Sequence, residues 1–148
     1  MDGIELMAGA MHAAQARLDV SAANLSNLSS AGFQRRIAHA TLGERGLSVS
    51  SSIDRTQGPL ERTGRVFDLA TVGGTLFVRD AGNVTGRLRL TPGTSVESGF
   101  LERSNVDAVH EMVDVLSAQR AFETAQKALS AIDEARAKDV NDVVRVKA

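Results

Sequence analysis

The chain has 148 residues, 43% of them apolar and 24% charged, with a net charge of −1 and no cysteine. That balance gives room for one domain with a moderate core, and it excludes a bulk field for nucleic acid or anionic lipid, a disulfide framework and a thiolate metal site. The aromatic content is 3%, all of it Phe, which argues against a base-stacking platform.

Residues 2 to 28 carry the cleanest periodicity. Ile4, Met11, Leu18 and Leu25 are spaced by sevens, and so are Met7, Ala14, Ser21 and Leu28. This a/d seam predicts a helix of roughly 40 Å, spoiled only by Ser21. Asp2 and Glu5 are a plausible capping pair at its start. The same acidic start, with no Lys or Arg before Arg17, does not fit a secretory leader. No apolar run approaches the ~18 residues of a membrane span. The expectation is a protein that stays in the cytosol or leaves without a cleaved signal peptide. Ser29 and Ser30 then dilute the helical signal, Gly32 supplies the stop, and Phe33 restarts the apolar pattern.

Between Gly32 and Gly99 lie eleven of the thirteen glycines and both prolines, which break any long helix. Short β-compatible runs sit between the turn residues, at Phe33–Ala40, Leu47–Ile53, Val66–Val72, Thr75–Arg79 and Gly86–Leu90. The runs on either side of Asp80-Ala81-Gly82-Asn83 predict a hairpin. Gly43 to Gly58, with three consecutive serines, reads as a mobile connector.

From residue 105 to about 138 the helical pattern returns. Ser104 or Asn105 can cap it, with Asp107 in the first turn. Val115, Ala118, Phe122, Ala125, Leu129 and Ile132 form a second seam on a helix of about 50 Å. Helices of this length do not fit inside a compact globule of 148 residues. The expected fold is therefore α+β and elongated, with long N- and C-terminal helices paired as a coiled coil and a small β-rich middle segment. The expected divisions are 1–31, 32–100 and 101–148. Leu6, Ala10, Ala13, Ala16 and Ala22 broaden the first stripe, as Val109, Met112, Val113 and Leu116 broaden the second. An apolar face wider than one partner covers points to assembly. The seams alone also fit a helical hairpin closing a monomer's core, and a soluble coiled-coil adaptor that binds a partner helix.

No catalytic constellation emerges. His110-Glu111 lacks the second histidine of HExxH, and His12 and His39 lie in other segments. Asp133-Glu134 reads as a solvated helical face beside Arg136 and Lys138. Gly73-Gly74, Gly82 and Gly86 are followed by no Gly-Lys-Ser/Thr and open no helix, so they make no phosphate loop. Neither an enzyme nor a cofactor nor a metal is expected.

Specific residues do resemble a known family. Ala23-Asn24-Leu25-Ser26-Asn27 through Gly32-Phe33-Gln34-Arg35 resembles the N-terminal signature of bacterial flagellar basal-body rod and hook proteins. A second block is Leu101-Glu102-Arg103-Ser104-Asn105-Val106-Asp107, with Glu111-Met112-Val113 and Gln119-Arg120-Ala121-Phe122-Glu123; it is similar to that family's C-terminal signature. A third block, Gln57-Gly58-Pro59-Leu60 to Thr63-Gly64 and Phe67-Asp68-Leu69-Ala70, looks like the entry to its outer domain. The Gly32-Phe33 pair and this third block favour the distal-rod type. Val72-Gly73-Gly74-Thr75-Leu76-Phe77 replaces the usual Gly-Asp-Gly-Phe-Phe run, and most of the outer domain between about Arg79 and Thr94 is missing.

The resemblance implies a structural subunit that is exported through the flagellar type III apparatus without a cleaved signal. Such a subunit polymerises through its terminal helices into the torque-transmitting axial shaft of the basal body. Its partners would be copies of itself and other rod or hook subunits, with no nucleic acid and no membrane span. The packing residues expected on this reading are Ile4, Met7, Met11, Leu18, Leu25, Leu28, Val115, Phe122, Leu129 and Ile132. Leu18, Leu25 and Leu28 would meet Val115, Phe122 and Leu129. The signature residues are Asn24, Asn27, Gly32, Phe33, Ser104, Asn105, Val106, Gln119 and Arg120, with Asn24 and Asn27 as candidate polar pins at the corner after the first helix.

Overall fold

A computed structural model describes residues 3–43, 46–73, 77–78, 88–89 and 93–146, with 77–78, 88–89 and 139–146 as backbone only. The architecture is α+β. Helix α1 (Gly3–Ser26) and helix α2 (Ala108–Val146) bracket eight short strands among the described residues. The chain divides into two compact units. One gathers α1 as far as Ala23, Ile37–Ser52, and α2 from Val109 onward. The other comprises Asn24–Arg36 and Ile53–Ala108.

In the first unit the two helices run antiparallel. Gly3 lies against Ile132, and Ala14 and Leu18 share a cleft with Ala118 and Phe122. The buried apolar residues here are all alanine, Ala13, Ala14, Ala118 and Ala125, joined by the polar Ser21 and Glu111. The larger seam residues Ile4, Met7, Met11, Leu18, Val115, Phe122, Leu129 and Ile132 are only half-buried. A buried alanine removes about one methyl from water, whereas a fully buried Leu or Phe contributes about 1.5–3 kcal/mol. The pair is thus held by a thin apolar core. Strands β1 (Arg36–Gly43) and β2 (Gly46–Ile53) form a two-stranded sheet. His39 meets the Ser52 hydroxyl at 2.7 Å, and the Ser48 hydroxyl donates to the Thr41 carbonyl at 3.2 Å. Gly9 lets this hairpin approach α1, because a Cβ there would stand 3.1 Å from that of Leu47.

In the second unit, β3 (Leu60–Arg62) pairs with β8 (Phe100–Glu102), and β4 (Leu69–Val72) pairs with β7 (Ser95–Ser98), both antiparallel. Strands β5 (Phe77–Val78) and β6 (Leu88–Arg89) extend the same nesting. The register is broken between the first two pairs, where Thr63–Asp68 stands opposite the single residue Gly99. The Gly99 carbonyl accepts from the N–H groups of Thr63 and Gly64 at 2.8 and 3.1 Å, and the Gly99 N–H donates to the Asp68 carbonyl at 2.8 Å. Gly64 and Gly99 adopt φ of +69° and +82°, so this bulge is built on two glycines. Where β3 meets β8, Gly58 is pressed against the chain: a Cβ there would run into the Arg103 carbonyl.

Several expectations shift. Helix α1 stops at Ser26 rather than Leu28, because local bonds take over: the Ser30 hydroxyl donates to Asn27 Oδ1, and Asn27 Nδ2 donates to Ser26 Oγ. Leu28 is consequently off the helix and 37% exposed. The serine-rich stretch expected as a connector contains β2, whose ladder with β1 satisfies its backbone. Helix α2 starts at Ala108, so Asp107 stands at its N-cap position, and it runs to Val146 because nothing after Gly99 breaks it. Ser104 instead accepts from the Val106 N–H at 3.3 Å. Asp2 and the turn at 80–83 lie outside the described residues.

Candidate assembly surface

Two asparagines fix the corner after α1. Asn24, on the last turn of that helix, is fully buried. Its Oδ1 accepts from the Arg36 N–H at 2.9 Å and its Nδ2 donates to the Arg36 carbonyl at 2.8 Å. One side chain thereby supplies the donor and acceptor that a neighbouring strand would offer. Aspartate lacks the donor, and glutamine places the amide one methylene further out. Asn105 does the complementary task. Its Oδ1 accepts from the Arg35 N–H at 2.6 Å, and its Nδ2 donates to the Asp54 carbonyl (3.2 Å), the Thr56 carbonyl (2.9 Å) and the Thr56 hydroxyl (3.2 Å).

The residues leading into β1 and out of β2 are therefore held by two side chains that lie eighty-one positions apart in the sequence. A backbone bond from Asp54 to the Arg35 carbonyl at 2.8 Å closes the arrangement. The Thr56 N–H and hydroxyl on its carboxylate, in that order, hold Asp54 below the usual carboxylate range, with Arg35 adding a smaller pull. Gly32, at φ +67°, donates to the Glu102 carbonyl at 2.8 Å, and Glu102 Oε1 accepts from Gly58 N–H at 2.9 Å. The Gln57 amide also donates to the Thr71 carbonyl.

The other signature residues are distributed as follows. Ser104 and Val106 are buried, Phe33 and Asn27 half-buried, and Gln119 and Arg120 exposed on α2. The Asn27 side chain bonds to its neighbours Ser26 and Ser30, and its N–H donates to the Asn24 carbonyl at 3.1 Å. Leu18 and Phe122 come together in a cleft of about 340 Å³, which Ala14, Gln15, Ala118, Gln119 and Glu123 also line. Leu25 is half-buried.

The surface that stands out is on α2. Val109, Met112, Val113 and Leu116 are 55–71% exposed. At 100° per residue they form one stripe, centred roughly 180° round the helix from the seam of Ala118 and Ala125. The start of α2 is apolar on two faces, and one of them stands exposed among the described residues. Glu111 occupies the seam one heptad before Ala118 and is fully buried. The spacing 111, 118, 125, 132 marks that position in the sequence, although no residue-type rule flags a glutamate there. The β-compatible run read from Val66 becomes a strand only at Leu69; residues 66–68 belong instead to the bulge, where Phe67 is 95% and Val66 74% exposed. There the Thr63 hydroxyl and then Arg65, whose Nε lies 2.8 Å from Asp68 Oδ2, hold the Asp68 carboxyl below its ordinary range.

Among the described residues, no three His, Asp or Glu side chains gather as a metal site, and no helix is long and apolar enough to cross a membrane. His110 pairs with Asp114 at 3.8 Å along the surface of α2.

Two family descriptions match the chain: "Flagella basal body rod protein" over residues 4–34, and "Flagellar basal body rod FlgEFG protein C-terminal" over residues 97–142. Together they cover more than half of it. Three relatives carry rod-protein names. Flagellar basal-body rod protein FlgG of Borreliella burgdorferi is 34% identical over 104 residues, 63% of this chain and 38% of that protein. Flagellar basal-body rod protein FlgC of Aquifex aeolicus is 27% identical over 129 residues, 87% of this chain and 86% of that protein. FlgG of Agrobacterium fabrum is 49% identical over 39 residues, 26% of this chain and 15% of that protein. The aligned part thus spans under two fifths of either FlgG and most of the Aquifex FlgC.

Proposed function

The chain belongs to the flagellar basal-body rod protein family, and we propose that it is a structural subunit of the rod, polymerising through its terminal helices into the axial shaft that transmits torque. The observation that carries this reading is the exposed apolar stripe of Val109, Met112, Val113 and Leu116. Apolar surface of this kind, on the far side of a helix whose seam is already occupied, is what a neighbouring subunit's helix would cover. The half-buried seam residues Met7, Met11, Leu18, Val115, Phe122 and Leu129 would gain the remainder of their burial in the same event.

Its partners are then copies of itself and other axial subunits, its place is the basal body, and it reaches that place through the type III export apparatus. The role is structural rather than catalytic. Similarity to FlgG supports the distal-rod type; the near-complete match to Aquifex FlgC supports a subunit whose outer segment is short.

Light scattering over a concentration series tests the proposal. A rod subunit stays monomeric when dilute and passes to open-ended polymers as concentration rises, alone or with its axial relatives. A discrete oligomer of fixed size at every concentration would instead identify a coiled-coil adaptor, and would sink the rod reading.

A further inference from the structure

We propose that the bulge opposite Gly99 is a plug, with Phe67 as its tip, that seats in the α1–α2 cleft of a second copy of this chain. The inference rests on the polymerising role proposed above and names a contact for it. Phe67 is 95% exposed and Val66 74% exposed, side by side on a turn. That turn is not slack. Three backbone hydrogen bonds tie it to Gly99, Asp68 N–H donates to the Arg65 carbonyl at 3.1 Å, and the Arg65–Asp68 ion pair spans it. A ring presented on a braced turn loses little conformational freedom on docking, which is how preorganised contacts gain affinity.

The occupant is argued from the cleft. Its volume of about 340 Å³ lies between Ala14, Leu18, Ala118 and Phe122. An apolar cavity of about 150 Å³ accepts a benzene ring, so there is room for the Phe67 ring and part of Val66. The Phe122 ring already lines the site and offers an aromatic partner. Charge agrees as well: Arg65, whose side chain is 70% exposed, precedes the tip by two residues, and Glu123 stands at the cleft.

Plug and cleft are different patches of one chain, so a contact between two copies leaves a free plug on one and a free cleft on the other. A heterologous contact of this kind propagates instead of closing into a pair. It therefore gives the polymer a direction.

The absence of cysteine makes the test clean. Chains carrying Val66→Cys are mixed with differently tagged chains carrying Gln15→Cys at the edge of the cleft, assembled, and oxidised. The expected result is a covalent dimer containing both tags, with neither variant giving it alone. In parallel, Phe67→Ala should raise the concentration needed for assembly about tenfold to a hundredfold, the burial value of one ring. Wild-type assembly with no mixed dimer, or with Phe67→Ala assembling like wild type, overturns the plug and leaves the rod reading standing. If the unmodified chain assembles neither alone nor with its axial relatives, both fall.

Discussion

The helix pair and the asparagine corner bury opposite things. Between α1 and α2 the fully buried groups are mainly methyls of Ala13, Ala14, Ala118 and Ala125, and the attraction among them has no direction. At the corner and the adjoining ribbon, Asn24, Ser104 and Thr71 are buried, and the amides of Asn24 and Asn105 are matched atom for atom to backbone partners. Hydrogen bonds of that kind specify one geometry, because a buried amide left without its partner costs about 1–3 kcal/mol. The corner is complete in a single chain. The helix pair is thinly cored and apolar on a second face, which is where the proposed assembly would add cover.

The largest expected effect breaks that contrast on the helix side. Met112→Asp with Leu116→Asp places two charges on the exposed stripe. Assembly should be abolished, while the monomer's denaturation midpoint moves by no more than about 0.5 kcal/mol, since both positions are exposed. Scattering and urea melts on the same sample separate the two readouts; a matching loss of monomer stability would show that the stripe serves the chain's own fold.

On the corner side the ordering reverses. Asn105→Ala removes an acceptor from the Arg35 N–H and a donor shared by Asp54 and Thr56, and should cost about 2–3 kcal/mol in urea denaturation. Asn24→Ala should fall in the same range. Asn105→Asp should not rescue, because the lost function is the donor. Any of these variants melting like wild type would remove the distinction between a specified corner and a pliable helix pair.

A smaller effect sharpens the picture of the seam. Ser21 is buried at an a/d position of α1, and Ser21→Ala gains helix propensity and removes a hydroxyl from the interface. The expected gain is about 0.5 kcal/mol, read as a raised midpoint. A loss would mean that the hydroxyl holds a partner worth more than the propensity.

The smallest effect is a local response to acid. Folding lowers the carboxyl pKa of both Asp54 and Asp68. Their contribution is therefore fully present above the unfolded value of 3.8 and is lost as pH falls through the lower folded values. Amide exchange should quicken at 54–56 and 63–68 below about pH 4, ahead of the helices. Unchanged protection there in acid would show that backbone bonds alone brace those turns.

The helices were legible because a heptad repeats: each of its positions is a separate vote for the same face. The stripe at 109, 112, 113 and 116 was legible for the same reason, and the corner was legible as a place. Its bonds were not, since nothing local in the sequence tells Asn105 that Arg35 is its partner. Strands β3, β7 and β8 escaped notice because they are short and show little apolar alternation. Their register is set by a partner up to about forty residues away rather than by their own composition. Leu28 misled because it continues the heptad for two residues after Ser26, Asn27 and Ser30 have already redirected the chain.

The broken register at Gly99 also bears on how such a chain can change length over generations. Inboard of the break, β3 and β8 are bonded to each other and to the corner. Outboard of it, β4 and β7 keep a register of their own. An insertion or deletion beyond Val72 and before Ser95 therefore lengthens or trims an arm without rethreading its root. The family matches fall at 4–34 and 97–142, on either side of that arm. The break works as a splice point: two matching ends can carry middles of different size, and a chain of 148 residues and a relative nearly twice as long can share them.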